Sequence, residues 1–291
     1  RRPVGSVDLT PRPDATPSAY SWVPPETPSE MTTRLRPVPA RRPLRTIGAL
    51  GCVVLGLGLI GGAATGSWLT GDSSADPATD TAYAEARTLW HSAPVDALFP
   101  RSLNGDGAGP GGADRVWTRI AVAPDSTCAS ALDPLLVTTL RQVGCARVLR
   151  ATYTDATASN VTTVGLVFTD GDPETVAALK SRFAKERLSE RRDLMPRAFP
   201  AEGTVAAGFG DPQRASWTVN VLSEAPVIVY AVSGFADGRT VGDPQPAAAA
   251  KANGATTAPA QAGLGHEATG LADGIGGALR RTLSTATEAP E

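Results

Sequence analysis

Histidine is the side chain that most often performs acid–base catalysis near neutral pH, and this chain of 291 residues has two, His91 and His266. The second lies in HEATG, which lacks the second histidine of a zinc-protease helix. The sequence has no GxSxG, SxxK, Walker or GxGxxG motif, so acyl transfer, phosphoryl transfer and dinucleotide chemistry lack their usual signatures. We therefore predict no catalytic residue and no cofactor. Acid–base hydrolysis by an unrecognised pair of carboxylates stays open.

Aspartate-rich turns are the segments that most resemble a metal site. Asp106 lies in LNGDGAG, and Asp170 and Asp172 lie in TDGDP. Neither segment has the number of oxygen ligands that a calcium-binding loop supplies. Turn formation and helix capping explain these aspartates better, so we predict no metal site.

The three cysteines differ in their surroundings. Cys52 lies inside an apolar segment, whereas Cys128 and Cys145 flank a predicted helix. A CxxC spacing is absent and no histidine is nearby, which argues against a redox or metal-binding pair. We predict a structural disulfide between Cys128 and Cys145, worth roughly 3 kcal/mol for a loop of this size in the chain-entropy model.

An apolar segment occupies residues 46–69, which carry no charged side chain. About 20 apolar residues span a bilayer, and the arginines before this segment and the aspartates after it place the N-terminus in the cytoplasm by the positive-inside rule. We predict a single transmembrane helix, with a cleaved signal peptide as the alternative. Glycines recur every four residues within it, a spacing that could pack two such helices as a homodimer; they are Gly58, Gly62 and Gly66.

Composition divides the rest of the chain. Residues 1–45 are rich in proline and poor in apolar side chains, so we expect a disordered cytoplasmic tail. Residues 70–79 form a linker, and residues 80–241 alternate turn signals with periodic apolar segments, which is typical of a folded domain. Residues 242–291 are rich in Ala, Gly, Pro and Thr, and we expect a mostly disordered C-terminal tail with at most one weak helix, in GLADGIGGALRRTL, whose glycines count against its stability in isolation.

The patterns within residues 80–241 predict an α+β domain. Helices are expected in DTAYAEARTLWH, in LDPLLVTTLRQVGC and, begun by Asp172 and Pro173, in DGDPETVAALKSRFAKERL. Strands are expected in RVWTRIAV, CARVLRATY, VTTVGLVF, WTVNVL and PVIVYAVSGF. In the first strand Val116, Thr118, Ile120 and Val122 share the apolar face. The order β-α-β-β-α-β-β matches the ferredoxin-like βαββαβ pattern with one added strand.

A long connection separates the second main helix of this pattern from the next strand. Residues 189–214 contain Met195, Phe199 and Phe209 among arginines and prolines. Connections of this length are uncommon without a function, and apolar side chains on a surface loop can anchor a partner. We therefore predict that these three residues contribute to partner binding.

Charge singles out no partner, because 27 Lys and Arg oppose 29 Asp and Glu and leave a net charge of −2. This balance gives the chain no overall electrostatic attraction to nucleic acid. In architecture and composition the chain resembles uncharacterised single-pass membrane proteins of high-GC actinobacteria, which have a Pro/Arg-rich cytoplasmic tail, one span and a small external domain with a disulfide. The apolar segment and the positive-inside rule predict a cell-membrane location with the C-terminal domain outside the cytoplasm.

We therefore expect a non-catalytic binding module of the cell envelope rather than an enzyme. Its partners would be the membrane itself and a protein or small ligand outside the cytoplasm, and not nucleic acid. Two alternatives stay open at this stage. One is a membrane-anchored hydrolase of the cell wall or of secreted substrates, and the other is a structural subunit of a membrane assembly.

Overall fold

The computed structural model describes residues 77–288, which form both helices and strands. The helices are α1 (Pro77–Ser92), α2 (Val95–Leu98), α3 (Cys128–Ala131), α4 (Pro134–Thr139), α5 (Pro173–Lys185), α6 (Ala247–Ala250), α7 (Ala258–Gln261) and α8 (Leu264–Glu288). The strands are β1 (Ser102–Gly105), β2 (Arg115–Val122), β3 (Arg147–Asp155), β4 (Asn160–Phe168), β5 (Ser216–Val221), β6 (Val227–Phe235) and β7 (Gln245–Pro246).

The seven strands of the described range form one mixed sheet in the order β1-β2-β3-β4-β6-β5-β7. Neighbouring strands run antiparallel, except that β7 runs parallel to the start of β5. Strands β1 to β4 follow one another across the sheet, and β6 lies between β4 and β5. The sheet therefore ends at β5 and the short β7 on one side.

Helices cover both faces of this sheet, as the alternation of β6 illustrates. Ile228 and Tyr230 join the core that α4 and α5 cover, whereas Val229 and Ala231 join the core that α8 covers. Because side chains on both faces are buried, the sequences of the central strands are nearly continuous runs of apolar residues. The fold is a three-layer arrangement with the sheet in the middle.

Helix α5 begins as the sequence predicts. The Asp172 carboxylate accepts a hydrogen bond from the Thr175 backbone N–H at 2.7 Å, and Pro173 occupies the first turn. The apolar stripe of the helix is buried against the sheet, through Val176, Leu179 and Phe183.

The predicted ferredoxin-like arrangement is wrong. That pattern requires a helix to carry the chain over the sheet to a parallel strand, whereas β2 and β3 are antiparallel neighbours. The helical part between them is too short for a crossover, because α4 has six residues and is followed by a 3₁₀ turn over Arg141–Val143. Only the connection through α5 resembles the prediction, since it joins β4 to the parallel strand β5 with β6 between them.

The apolar face that the sequence predicts for β2 is wrong except at Ile120, which is partly buried against the core. Val116 and Val122 are 44% and 39% exposed, whereas Trp117 on the opposite face is 1% exposed. The Trp117 ring lies under α8, where a Cβ added to Gly270 would meet the ring at 2.6 Å. One aromatic side chain, together with the glycine that makes room for it, outweighs the smaller valines in setting which face is buried.

The C-terminal region is folded up to residue 288, so the expected disorder over residues 242–291 is wrong for that part. Sequence reasoning counts the glycines of α8 against the helix. Tertiary packing of its apolar stripe outweighs that intrinsic cost. The buried residues of the stripe are Leu264, Ala268, Leu271, Ala272, Ile275 and Leu279.

The prediction of a single-pass membrane protein is corrected as well. Among residues 77–288 no helix is both long and apolar enough to cross a membrane. The longest, α8, has 25 residues but carries Glu267, Asp273, Arg280 and Arg281. The predicted span over residues 46–69 lies outside the described residues, together with Cys52 and the three glycines expected to pack it, Gly58, Gly62 and Gly66. The membrane location and the packing of two spans are therefore not retained.

Candidate functional site

The predicted disulfide is present. Cys128 and Cys145 are bonded with their Cα atoms 6.1 Å apart, inside the usual range for a disulfide. The bond ties the start of α3 to the residues that precede β3. Cys128 belongs to the buried core, which fits a structural role.

The residues predicted to bind a partner lie in or against the core. Met195 is 6% exposed, Phe209 is 1% exposed, and Phe199 is partly buried. Arg214 holds this connection to the domain, because its guanidinium donates to the Met195 carbonyl at 2.9 Å and to Asp133 at 3.2 Å. The expected exposure of these side chains is wrong, and the binding prediction loses the surface on which it rested.

The two histidines make different local contacts, and neither belongs to a metal-binding cluster in the described part of the chain. His91 is exposed at the end of α1 with its ring 5.1 Å from that of Trp90, and His266 Nδ1 lies 3.0 Å from the carbonyl oxygen of Ala108. Within residues 77–288 no group of three His, Cys, Asp or Glu side chains is placed to hold a metal ion.

An ion pair between a buried carboxylate and a half-buried arginine joins α8 to β2. The Glu267 side chain is 1% exposed and accepts a hydrogen bond from Trp117 Nε1, while Arg115 Nε lies 3.3 Å from its other oxygen. Burial raises the pKa of Glu267, against the lowering effects of the Trp117 hydrogen bond and the Arg115 charge. Because protein atoms enclose this carboxylate, a substrate has no access to it, and its role is to fasten α8 to the sheet.

Strand β5 has an outer edge that is only partly paired. β7 pairs with the first two residues of β5, and in the described chain no strand pairs beyond them on that side. The Leu222 N–H donates to the Val227 carbonyl at 3.1 Å, which fixes the antiparallel alternation along β5 and β6. It follows that Val219 and Val221 direct their backbone N–H and C=O groups away from β6.

A groove of about 480 Å³ follows this unpaired edge, and we call it the β5 groove. One wall is formed by α5 and the other by α8, so the groove lies where the two helical layers flank the end of the sheet. The residues of the walls are Lys180, Phe183 and Ala184 on α5, and Ala272, Asp273, Gly276 and Arg280 on α8.

Three of the charged groups in the β5 groove have partners within the protein. Lys180 Nζ donates to Ser223 Oγ at 2.9 Å, and Arg280 forms an ion pair with Glu224. Burial raises the pKa of Glu224, but the hydrogen bond from Arg280 and those from backbone N–H groups outweigh that effect and lower it.

Asp273 differs from these groups. It forms no hydrogen bond and no ion pair with any residue in the described part of the chain, although the charges of Lys251 and Arg280 act on it. Burial is the largest effect on its carboxyl and raises the pKa of Asp273 above the ordinary value. Asp273 is nevertheless exposed by surface area, so the β5 groove holds a solvent-accessible carboxylate that has no partner among residues 77–288.

Sequence reasoning predicted β5 but not the groove. The missing part was α8, of which the sequence predicted only a weak helix in GLADGIGGALRRTL inside a mostly disordered tail. A readable signal was present in the apolar stripe from Leu264 to Leu279, which follows the helical period of 3.6 residues. The unpaired edge has no local signal, because it depends on which distant strands pair.

Comparison with known proteins gives no assignment. No protein-family model, no curated protein and no solved structure matches the chain at a significant level.

Proposed function

We propose that residues 77–288 form a non-catalytic binding module that accepts an extended polypeptide segment as an additional strand beside β5. The observation that carries the proposal is the unpaired edge at Val219 and Val221, which lies at the bottom of the β5 groove. Main-chain pairing with an exposed sheet edge is a common mode of peptide recognition. The module would hold its ligand through the backbone first and through the helix walls second.

The unpaired backbone groups supply the attraction. Two residues with outward N–H and C=O groups offer four hydrogen bonds, each worth about 1 kcal/mol net when a partner replaces water. An edge strand left open also invites unwanted pairing, which proteins usually prevent by covering it or placing charges there. Here helices α5 and α8 flank the edge on both faces of the sheet, which limits access to it.

The α8 wall leaves space for such a chain. Gly276 lines the β5 groove, and a Cβ added there would meet nothing nearer than the end of the Arg280 side chain, at 3.6 Å. Gly277 is its neighbour on the helix, does not line the groove, and would likewise meet only Arg281 Nη1, at 3.5 Å. The two glycines therefore provide a matched pair for testing the groove without disturbing the core.

The experiment uses the full chain and a fluorescent nonapeptide, TVTVQVTVT, acetylated and amidated at its ends. Fluorescence anisotropy measures the dissociation constant, and hydrogen exchange measures protection of the Val219 and Val221 amides. We expect saturable binding that protects both amides. Gly276→Leu should weaken binding at least tenfold because its side chain fills the β5 groove, whereas Gly277→Leu should bind as the wild type does.

Two outcomes would contradict the proposal. Absence of binding, or equal binding by Gly276→Leu and the wild type, would remove the β5 groove as the site. Protection of the Val219 amide without peptide, together with a dimeric mass by light scattering, would instead make a second copy of the chain the occupant of the edge.

A carboxylate-dependent hydrolase is the second candidate, and one observation favours it. Glu224 and Asp273 line the same groove, and their pKa values shift in opposite directions, as in acid–base pairs that cleave glycosidic bonds. Asp273 would be the general acid and Glu224 the base. This candidate ranks second because Arg280 already occupies the Glu224 carboxylate. The test is hydrolysis of p-nitrophenyl glycosides by the full chain. If the wild type hydrolyses them and both Asp273→Asn and Glu224→Gln abolish the activity, the hydrolase becomes the preferred function.

A further inference from the structure

The two walls of the β5 groove face alternate positions of any strand added beside β5. Val219 and Val221 belong to the core that includes Phe183 of α5, whereas Leu222 belongs to the core that includes Ala272 of α8. A neighbouring strand shares the pleat of the strand with which it pairs. Successive side chains of the ligand would therefore point in turn toward α5 and toward α8.

The walls differ in what they offer those side chains. The α5 wall presents the apolar side chains of Phe183 and Ala184 to the groove, because the ammonium group of Lys180 is hydrogen-bonded to Ser223. The α8 wall presents the Asp273 carboxylate next to the open space at Gly276. An apolar side chain suits the first wall, and a side chain that can reach a carboxylate suits the second.

Asp273 sets the required charge. A strand that enters the β5 groove removes water from this exposed carboxylate, and a neutral ligand provides no interaction that offsets the desolvation. The nearby cations do not supply a partner, because Arg280 is paired with Glu224 and Lys251 makes no ion pair with Asp273. A cation on the ligand would complete the pair.

Building on the proposed function, we infer that the β5 groove selects an extended segment with a lysine or arginine side chain facing α8 at Asp273 and apolar side chains facing α5. The recognised feature is local, one basic residue within a stretch of alternating polar and apolar residues. Backbone hydrogen bonds to β5 provide the affinity, and the ion pair with Asp273 provides the specificity between segments of different sequence.

Three nonapeptides that differ only at the central residue test this inference on the full chain: TVTVKVTVT, TVTVQVTVT and TVTVEVTVT. Their valines occupy one face of the strand and the varied residue the other. We expect the lysine peptide to bind about fivefold more tightly than the glutamine peptide, a ratio typical of a partly exposed ion pair, and the glutamate peptide to bind most weakly.

Variants of Asp273 locate the effect. Asp273→Asn should remove the preference for lysine over glutamine, and Asp273→Lys should make the glutamate peptide the tightest of the three. Glu202→Gln, at an exposed carboxylate that does not line the β5 groove, should preserve the wild-type order.

The outcomes separate the inference from the function on which it rests. Equal binding of all three peptides by the wild type, or a lysine preference that survives Asp273→Asn, overturns the inference while strand addition stands. Failure of all three peptides to bind overturns the proposed function itself.

Discussion

The indole N–H of Trp117 donates a hydrogen bond to the carboxylate of Glu267, which lies 150 residues later in the chain. This bond connects β2, near one end of the sheet, with the first turn of α8. The same helix forms a wall of the β5 groove at the opposite end of the sheet. The buried pair thus fixes the helix on which the proposed binding site depends.

Removing the Glu267 carboxylate should destabilise the domain. Glu267→Ala leaves the Trp117 N–H without an acceptor and Arg115 without its counter-ion, and we expect a loss of about 3 kcal/mol in the free energy of unfolding. Glu267→Gln keeps an acceptor for Trp117 and should cost about half as much. Urea unfolding followed by tryptophan fluorescence measures both. Equal losses in the two variants would show that the hydrogen bond contributes little.

The pH dependence of stability should carry the signature of Glu267. Burial raises its pKa in the folded state above the ordinary 4.5, so the folded chain keeps a proton that the unfolded chain has lost. This contribution is fully present below pH 4.5 and disappears as the pH rises through the raised pKa. The stability of the wild type relative to Glu267→Gln should therefore fall as the pH increases from 4.5. Parallel curves for the two proteins would contradict this expectation.

The disulfide should contribute through the unfolded state. The bonded cysteines are 17 positions apart, and a loop of that size is worth about 3 kcal/mol in the chain-entropy model. We expect the double variant Cys128→Ala, Cys145→Ala to unfold at a correspondingly lower urea concentration. The wild type measured with dithiothreitol should behave like the double variant, which separates loss of the bond from loss of the sulfur atoms.

Elements whose formation depends on neighbouring residues could be predicted from the sequence, whereas elements that depend on distant contacts could not. The start of α5 could be read because Asp172 and Pro173 act on the adjacent backbone. The pairing of β2 with β3 could not, because antiparallel and parallel placements of one strand use the same alternating pattern, and the choice depended on the short helix α4. The disulfide was predictable since two cysteines flanked one local element.

The candidate site was less predictable than the fold for a similar reason. An unpaired edge at Val219 is a property of the whole sheet, and nothing in WTVNVL distinguishes an edge strand from an inner one. The glycines of α8 led to a wrong prediction of disorder, because glycine has a low intrinsic helix propensity. Propensity cannot show that Gly270 makes room for the Trp117 ring. Met195 and Phe209 misled the prediction in the opposite direction, because a long connection usually lies at the surface.

Burial of the long connection predicts how its side chains respond to truncation. Phe209→Ala should lower the free energy of unfolding by about 3–4 kcal/mol, as for other large side chains removed from a core. Val205→Ala, in the same connection but 44% exposed, should change it by less than about 0.5 kcal/mol. Urea unfolding of the two variants distinguishes a core role from a surface role. A small effect of Phe209→Ala would restore the surface interpretation.

A close approach between β4 and β6 predicts the effect of a single added methyl group. Gly165 lies opposite Tyr230 in the register of the two strands, and a Cβ at this glycine would stand 2.6 Å from the Tyr230 hydroxyl oxygen, with ring carbons closer still. The Tyr230 ring is fully buried, so Gly165→Ala should lose about 2–3 kcal/mol through overpacking.

Two further measurements test that explanation of the Gly165→Ala loss. Gly242→Ala, where an added Cβ meets nothing, should be nearly neutral. When Tyr230→Ala removes the ring first, the cost of Gly165→Ala should largely vanish, because the two changes then share one cavity and are not additive. An undiminished cost in that background would locate the penalty in the backbone of β4 rather than in the contact with Tyr230.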